Sequence, residues 1–157
     1  MTRPTKYRPN VAGVIINAKG RILICERFDI EGSWQLPQGG VDEDESLEEA
    51  FLREMQEEIG TSDLKIIGKL EKPIKYDWPE KLHSRGYLGQ EQHYFLAELV
   101  DLDSICLVPI RGEQEFSSYR WVGLRELKES VSGFKKEAYL KALDQFVNEF
   151  SDIPFVA

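Results

Sequence analysis

Two short apolar runs near the start of the chain, Val11 to Ile16 and Ile22 to Arg27, bracket the turn-forming stretch Asn17-Ala-Lys-Gly20. Runs of this length joined by Asn and Gly predict two strands in a hairpin. Further strands are predicted over Lys65 to Glu71, Glu91 to Leu99 and Tyr119 to Val122. Ile30 to Gly40, with its Gly, Pro and Trp, reads as a loop, as does the polar stretch Asp77 to Gln90. Leu124 to Ser130 reads as a short helix. Tyr139, Leu143, Phe146, Val147 and Phe150 recur at helical spacing and predict a core-packed amphipathic helix. Strands interleaved with helices predict an α/β sandwich on a mixed sheet. At 157 residues the chain fits one domain, 1–157.

The segment between the second and third strands departs from ordinary patterning. Ser46-Leu-Glu-Glu49 fits a capping box, and Gly60 sits where a helix ends in a left-handed residue, so a helix is predicted from Leu47 to Ile59. At about 100° per residue, Leu47, Ala50, Phe51 and Met55 form its apolar stripe. Glu54 and Glu58 fall inside that stripe, Glu57 lies on its edge, and Arg53 lies beside Glu57. A carboxylate turned toward an apolar layer costs several kcal/mol unless a counter-charge compensates it. One arginine does not neutralise three such groups, whereas a hard divalent cation prefers oxygen ligands of this kind. A solvated acidic face accounts for Glu48, Glu49 and Gln56. It does not account for Glu54 and Glu58. Both readings stand at this point.

Charge sharpens the picture. The chain carries 28 acidic and 20 basic residues, net −8. Nine of the acids and one arginine lie between Asp42 and Glu58, and without that stretch the remaining 19 and 19 balance. The acidic balance argues against non-specific nucleic-acid binding through bulk charge. Cys25 and Cys106 stand far apart with no CxxC pair, which suits two buried thiols in a reducing cytoplasm. The polar start MTRPTKYRPN carries no secretory signal, and no apolar run reaches the roughly 18 residues of a membrane span. His83 and His93 read as structural or solvated. Nothing here fixes an oligomeric state.

The spacing Gly39-x5-Glu45-x7-Arg53-Glu54-Met55-x-Glu57-Glu58-x-Gly60 resembles the Nudix box, the signature of hydrolases that cleave a nucleoside diphosphate linked to another group. One position departs, with Thr61 where that family has an aliphatic residue. Tyr7-Arg-Pro-Asn10, Trp34-Gln-Leu-Pro-Gln-Gly-Gly40, Glu115-Phe116 before Tyr119-Arg-Trp-Val122, and Phe134-Lys-Lys136 extend the likeness to the bacterial RNA pyrophosphohydrolase branch. That branch is also described as acting on diadenosine polyphosphates. The resemblance implies an α/β/α sandwich and removal of pyrophosphate from the 5′-triphosphate end of RNA.

It also implies roles. Glu54, Glu57 and Glu58 match metal-binding positions for Mg²⁺ or Mn²⁺, two or more ions, with a backbone carbonyl of Gln38 or Gly39 as a further ligand. Glu115 is the candidate fourth ligand or general base, and Glu57 is its rival as base. Glu45 and Arg53 match an ion pair that stabilises the loop, with Arg53 steering Glu57. Arg27 and Phe134 would sandwich a base, Lys135 would hold a phosphate, and Tyr76 and Ser33 are further candidates near the substrate. Two other readings are dinucleoside polyphosphate hydrolysis and a nucleotide sensor that binds without cleaving.

Overall fold

A computed structural model describes residues 6–157. The first five residues, part of the polar start read above, lie outside them. Among the described residues no helix is long and apolar enough to cross a membrane.

Strand β1 (Lys6–Ile16) is buried from Asn10 onward and pairs in parallel with β7 (Tyr87–Leu99) along its whole length. This central pair is covered on both faces, which is why its apolar runs are nearly continuous. β5 (Leu64–Lys69) and β6 (Ile74–Asp77) pair antiparallel with successive parts of β7, and β8 (Phe116–Val122) pairs antiparallel with β2 (Ile22–Arg27).

The predicted hairpin forms, with the Asn17 side chain accepting from the Lys19 and Arg21 N–H groups to close its turn. It pairs only near that turn, at Ile16 and Ile22. Beyond it β1 and β2 diverge. Two short strands, β3 (Trp34–Gln35) on β2 and β4 (Gln38–Gly40) on β1, fill the opening. The stretch Ile30 to Gly40 is therefore not wholly loop, and the glycine-bearing segment is held as a strand by β1. The stretch Asp77 to Gln90 also needs correction: β6 ends at Asp77, a single 3₁₀ turn spans Glu80–Leu82, and β7 begins at Tyr87.

Alternation sends successive β1 side chains to opposite layers. Val11 and Ile15 pack with Ala50, Phe51, Met55 and Ile59 of α1 (Leu47–Ile59). Ala12 and Val14 pack with Leu127 of α2 (Leu124–Ser130) and with Tyr139, Leu143 and Phe146 of α3 (Lys136–Glu149). The result is the expected sandwich, with α1 on one face of the mixed sheet and α2 and α3 on the other. Cys25 is buried as expected, but Cys106 is exposed. It lies on the β7–β8 connection, where its backbone N–H donates to Ile59 O.

Candidate active site

Helix α1 starts as its sequence requires. Glu49 N–H donates to Ser46 Oγ at 3.1 Å and Ser46 N–H to Glu49 Oε1 at 3.3 Å. It ends at Gly60 in the left-handed conformation (φ 77°), where a β-carbon would strike the Cys106 carbonyl oxygen at 2.3 Å. The buried Thr61 Oγ1 then accepts from Asp63 N–H at 3.1 Å, which gives a threonine a use at this exit.

Arg53 joins the helix to the loop before it. Its Nε and Nη2 donate to Glu45 at 2.6 and 3.0 Å, Nη2 also reaches Gly40 O at 2.8 Å, and Nη1 donates to Glu54 at 2.8 Å and Glu57 at 3.2 Å. The Arg53 guanidinium and the Asp42 N–H together hold the Glu45 carboxyl down at about 2.

The carboxylates differ sharply in setting. Glu58 is 6% exposed and accepts one hydrogen bond, from Gln38 N–H at 3.2 Å. Burial pushes its carboxyl well above the usual range, and the charges of Glu54 and Glu115 push it further. Glu54 is raised by burial first, with Arg53 opposing. Glu57 is 58% exposed. Among the described residues no three acidic, His or Cys side chains close on a common point tightly enough to hold a metal ion; Glu54 and Glu57 instead turn onto Arg53. The donors nevertheless fit a hard divalent ion. Glu58 is a buried carboxylate with one neutral donor, its neighbours are carboxylates, and all of these groups offer oxygen.

These groups line one wall of a cleft of about 970 Å³. Gln38, Gly39, Glu54, Glu57 and Glu58 share it with Glu115, whose carbonyl accepts from Phe28 N–H at 2.9 Å. Arg27 and Lys135 line it too, so one cavity carries both signs of charge. Burial, helped by the charge of Arg27, brings the Lys135 ammonium down to about 8. Arg27 is held by Asp29 through two hydrogen bonds of 2.9 and 2.6 Å.

The other predicted residues, Phe134, Tyr76 and Ser33, do not line the cleft. Phe134 is 43% exposed and its ring meets that of Tyr76 at 6.0 Å between centroids. Tyr76 donates to the Gln90 side chain. Ser33 uses its backbone, its carbonyl accepting from Arg27 N–H at 2.9 Å, and its side chain is absent from the cleft wall. His83 meets Trp78 O at 3.0 Å and His93 meets Glu91 at 3.2 Å, both away from the cleft. Sequence reasoning overlooked the wall formed by Cys106 and Val108 to Glu113. Its one signal was an aliphatic pair, Val108 and Ile110, in a Pro- and Gly-bearing stretch.

An α/β/α sandwich that presents a carboxylate-bearing helix and a glycine strand to a cleft of mixed charge defines a class of enzyme whose chemistry sits on one acidic helix. The chain belongs to the NUDIX domain family, whose profile matches residues 6–143. It is 40% identical over 145 residues to the RNA pyrophosphohydrolase of Wolbachia sp. subsp. Drosophila simulans (strain wRi), covering 90% of each chain. It is 39% identical over 150 residues to the RNA pyrophosphohydrolase of Helicobacter pylori (strain P12), covering 92% of this chain and 96% of the relative. In fold it is similar to the E. coli dihydroneopterin triphosphate pyrophosphohydrolase (TM-score 0.68, 20% identity, 92% and 99% coverage). It is also similar to a C. elegans Ap4A hydrolase (TM-score 0.65, 19% identity, 90% and 98% coverage).

Proposed function

We propose that this chain is a metal-dependent hydrolase, a single domain over residues 1–157, that removes pyrophosphate from the 5′-triphosphate end of RNA. The product is a 5′-monophosphate end, the form that opens RNA to decay, and the reaction belongs in the cytoplasm. The observation that carries this reading is the cleft itself, in which Arg27 and Lys135 share one cavity with the carboxylates of α1. A phosphate chain with a base at its end needs both kinds of wall. The two relatives at 39–40% identity named above, both RNA pyrophosphohydrolases, support it.

Glu54, Glu57, Glu58 and Glu115, with a carbonyl of Gln38 or Gly39, would hold the divalent ions, Mg²⁺ or Mn²⁺. When bound, such ions neutralise polyphosphate oxygens and lower the pKa of water. The chain's own residues supply the rest. Lys135 holds a phosphate as a point charge. Arg27 and Phe134 stack on the terminal base. Glu115, or Glu57 as the rival base, takes the proton from the attacking water, and Arg53 keeps Glu57 aimed by its 3.2 Å contact. Strand β4 keeps the Gln38 backbone beside the acidic helix, where its N–H donates to Glu58 at 3.2 Å.

Incubation of 5′-triphosphorylated RNA with Mg²⁺ is expected to yield monophosphorylated RNA and pyrophosphate, and no product would overturn the reading. The same assay with diadenosine polyphosphates tests the second reading, and kcat/KM is expected to favour the RNA end. Tight nucleotide binding with no turnover of either substrate would identify a sensor.

A further inference from the structure

Strand β7 carries Gln90, Gln92 and Tyr94 at alternate positions, so all three face the same layer. That layer is otherwise apolar, yet Gln92 is 0% exposed and Gln90 and Tyr94 are buried. An amide is expensive to bury, and core positions are ordinarily filled by aliphatic residues. The cost is met in full here. The Gln92 amide nitrogen donates to Asn10 Oδ1 at 2.9 Å and to Gln38 Oε1 at 2.7 Å, and its oxygen accepts from the Tyr94 hydroxyl. Tyr139 of α3 adds a longer contact to Gln38 Oε1 at 3.4 Å.

Gln38 is the member of this network that reaches the cleft. Its side chain is tied inward by β7 and α3, while its backbone N–H is, among the described residues, the sole donor to Glu58, at 3.2 Å. The next residue, Gly39, lies against Glu54 so closely that a β-carbon there would sit 2.0 Å from a carboxylate oxygen. Strand β4 is three residues long and pairs with β1 only. Side chains anchor it at both ends: Arg53 Nη2 donates to Gly40 O at 2.8 Å, and the Gln38 amide holds the end nearer Glu58.

We propose that Gln92 is a positioning residue: by holding the Gln38 side chain it fixes the Gln38–Gly39 backbone against Glu58 and Glu54. Gln92 touches neither substrate nor the carboxylates. Its effect passes through one hydrogen bond to Gln38. The proposal rests on the reading of Glu54 and Glu58 as the working carboxylates, but its structural half can be measured without activity.

The test uses Gln92→Met, which keeps the length of the side chain and removes the amide, alongside Tyr94→Phe, which removes a hydrogen bond of the same network on the side away from Gln38. Amide hydrogen exchange is followed in metal-free protein, and kcat and KM are then measured with Mg²⁺. Gln92→Met is expected to speed exchange at Gln38 at least about tenfold relative to neighbouring β1 amides. It is expected to lower kcat by roughly 10- to 100-fold with KM nearly unchanged, the usual effect of losing an outer partner of a site. Tyr94→Phe is expected to lose thermal stability while keeping both Gln38 protection and kcat.

Should Gln92→Met fail to fold, Gln92→Asn retracts the same amide by one methylene and is expected to behave alike. If the Gln92 variant melts earlier but leaves Gln38 exchange and kcat intact, Gln92 is merely a core residue and the proposal fails. It fails equally if Tyr94→Phe lowers kcat as much. Exchange at Gln38 that rises while RNA is not turned over by the wild type would separate a failure of the substrate reading from a failure of this one.

Discussion

Gly39 and Glu54 touch in a way no other residue at position 39 permits. A β-carbon on Gly39 would lie 1.9 Å from the carboxyl carbon of Glu54. The contact is between a backbone held by β1 and a partly buried side chain held by Arg53 at 2.8 Å. Neither side yields without disturbing the site.

Gly39→Ala is therefore expected to displace Glu54 or lift strand β4. A displacement near 1 Å costs about 100-fold in rate. Steady-state pyrophosphate release from triphosphorylated RNA should show that loss in kcat, with circular dichroism unchanged. Activity within a few-fold of wild type would show that Glu54 has room to move.

Glu57 is the most exposed of the three helix carboxylates, at 58%, and its partner within the described residues is Arg53. Glu57→Gln should leave the melting temperature nearly unchanged, since an exposed ion pair contributes roughly 0–1 kcal/mol. Turnover should fall by about 100-fold or more, the scale of a lost general base or metal ligand. Survival of activity would reassign the base to Glu115 alone.

Lys135 gives a pH dependence with a defined sign. Burial lowers its ammonium from the ordinary 10.5 to about 8. Above pH 8 it is neutral in the folded protein and loses its grip on a phosphate, so kcat/KM for RNA should fall as pH rises through about 8. Lys135→Arg, which stays charged, should remove that fall. Stability should move the other way. Between about 8 and 10.5 the unfolded chain binds more protons at this position than the folded one, so the Lys135 contribution to stability rises with pH across that window. Chemical denaturation of wild type and Lys135→Met across the window checks the sign.

Phe134 is half exposed and rests on Tyr76. If it stacks on a base, Phe134→Ala should raise KM with little change in kcat, and a stack worth about 1–3 kcal/mol corresponds to roughly 5- to 150-fold. A lower melting temperature with unchanged kinetics would mean that the ring serves packing alone.

How far these features were readable in the sequence depended on distance along the chain. Helix α1 was legible to its ends because cap, stripe and terminator all lie within fifteen residues. The burial of Glu58 followed from the same wheel. The pairing of β6 with β7, and the start of β7 at Tyr87, were not legible, because those strands are short or polar and form only against a partner already in place. Strand β4 was invisible for the same reason: Gln38-Gly-Gly40 has no strand propensity, and β1 imposes the conformation. The polar stripe Gln90, Gln92, Tyr94 was visible as an alternation inside an apolar strand, but its partners Asn10, Gln38 and Tyr76 come from three distant segments.

The crowding of acids between Asp42 and Glu58 has a consequence for how a nucleic acid approaches. A polyanion lying lengthwise across α1 would be repelled at every phosphate it set down. A strand that noses in tip first, toward Arg27 and Lys135, would set its first phosphates beside those two basic side chains instead. Such a distribution of charge would favour a free end over an interior stretch before any base is read.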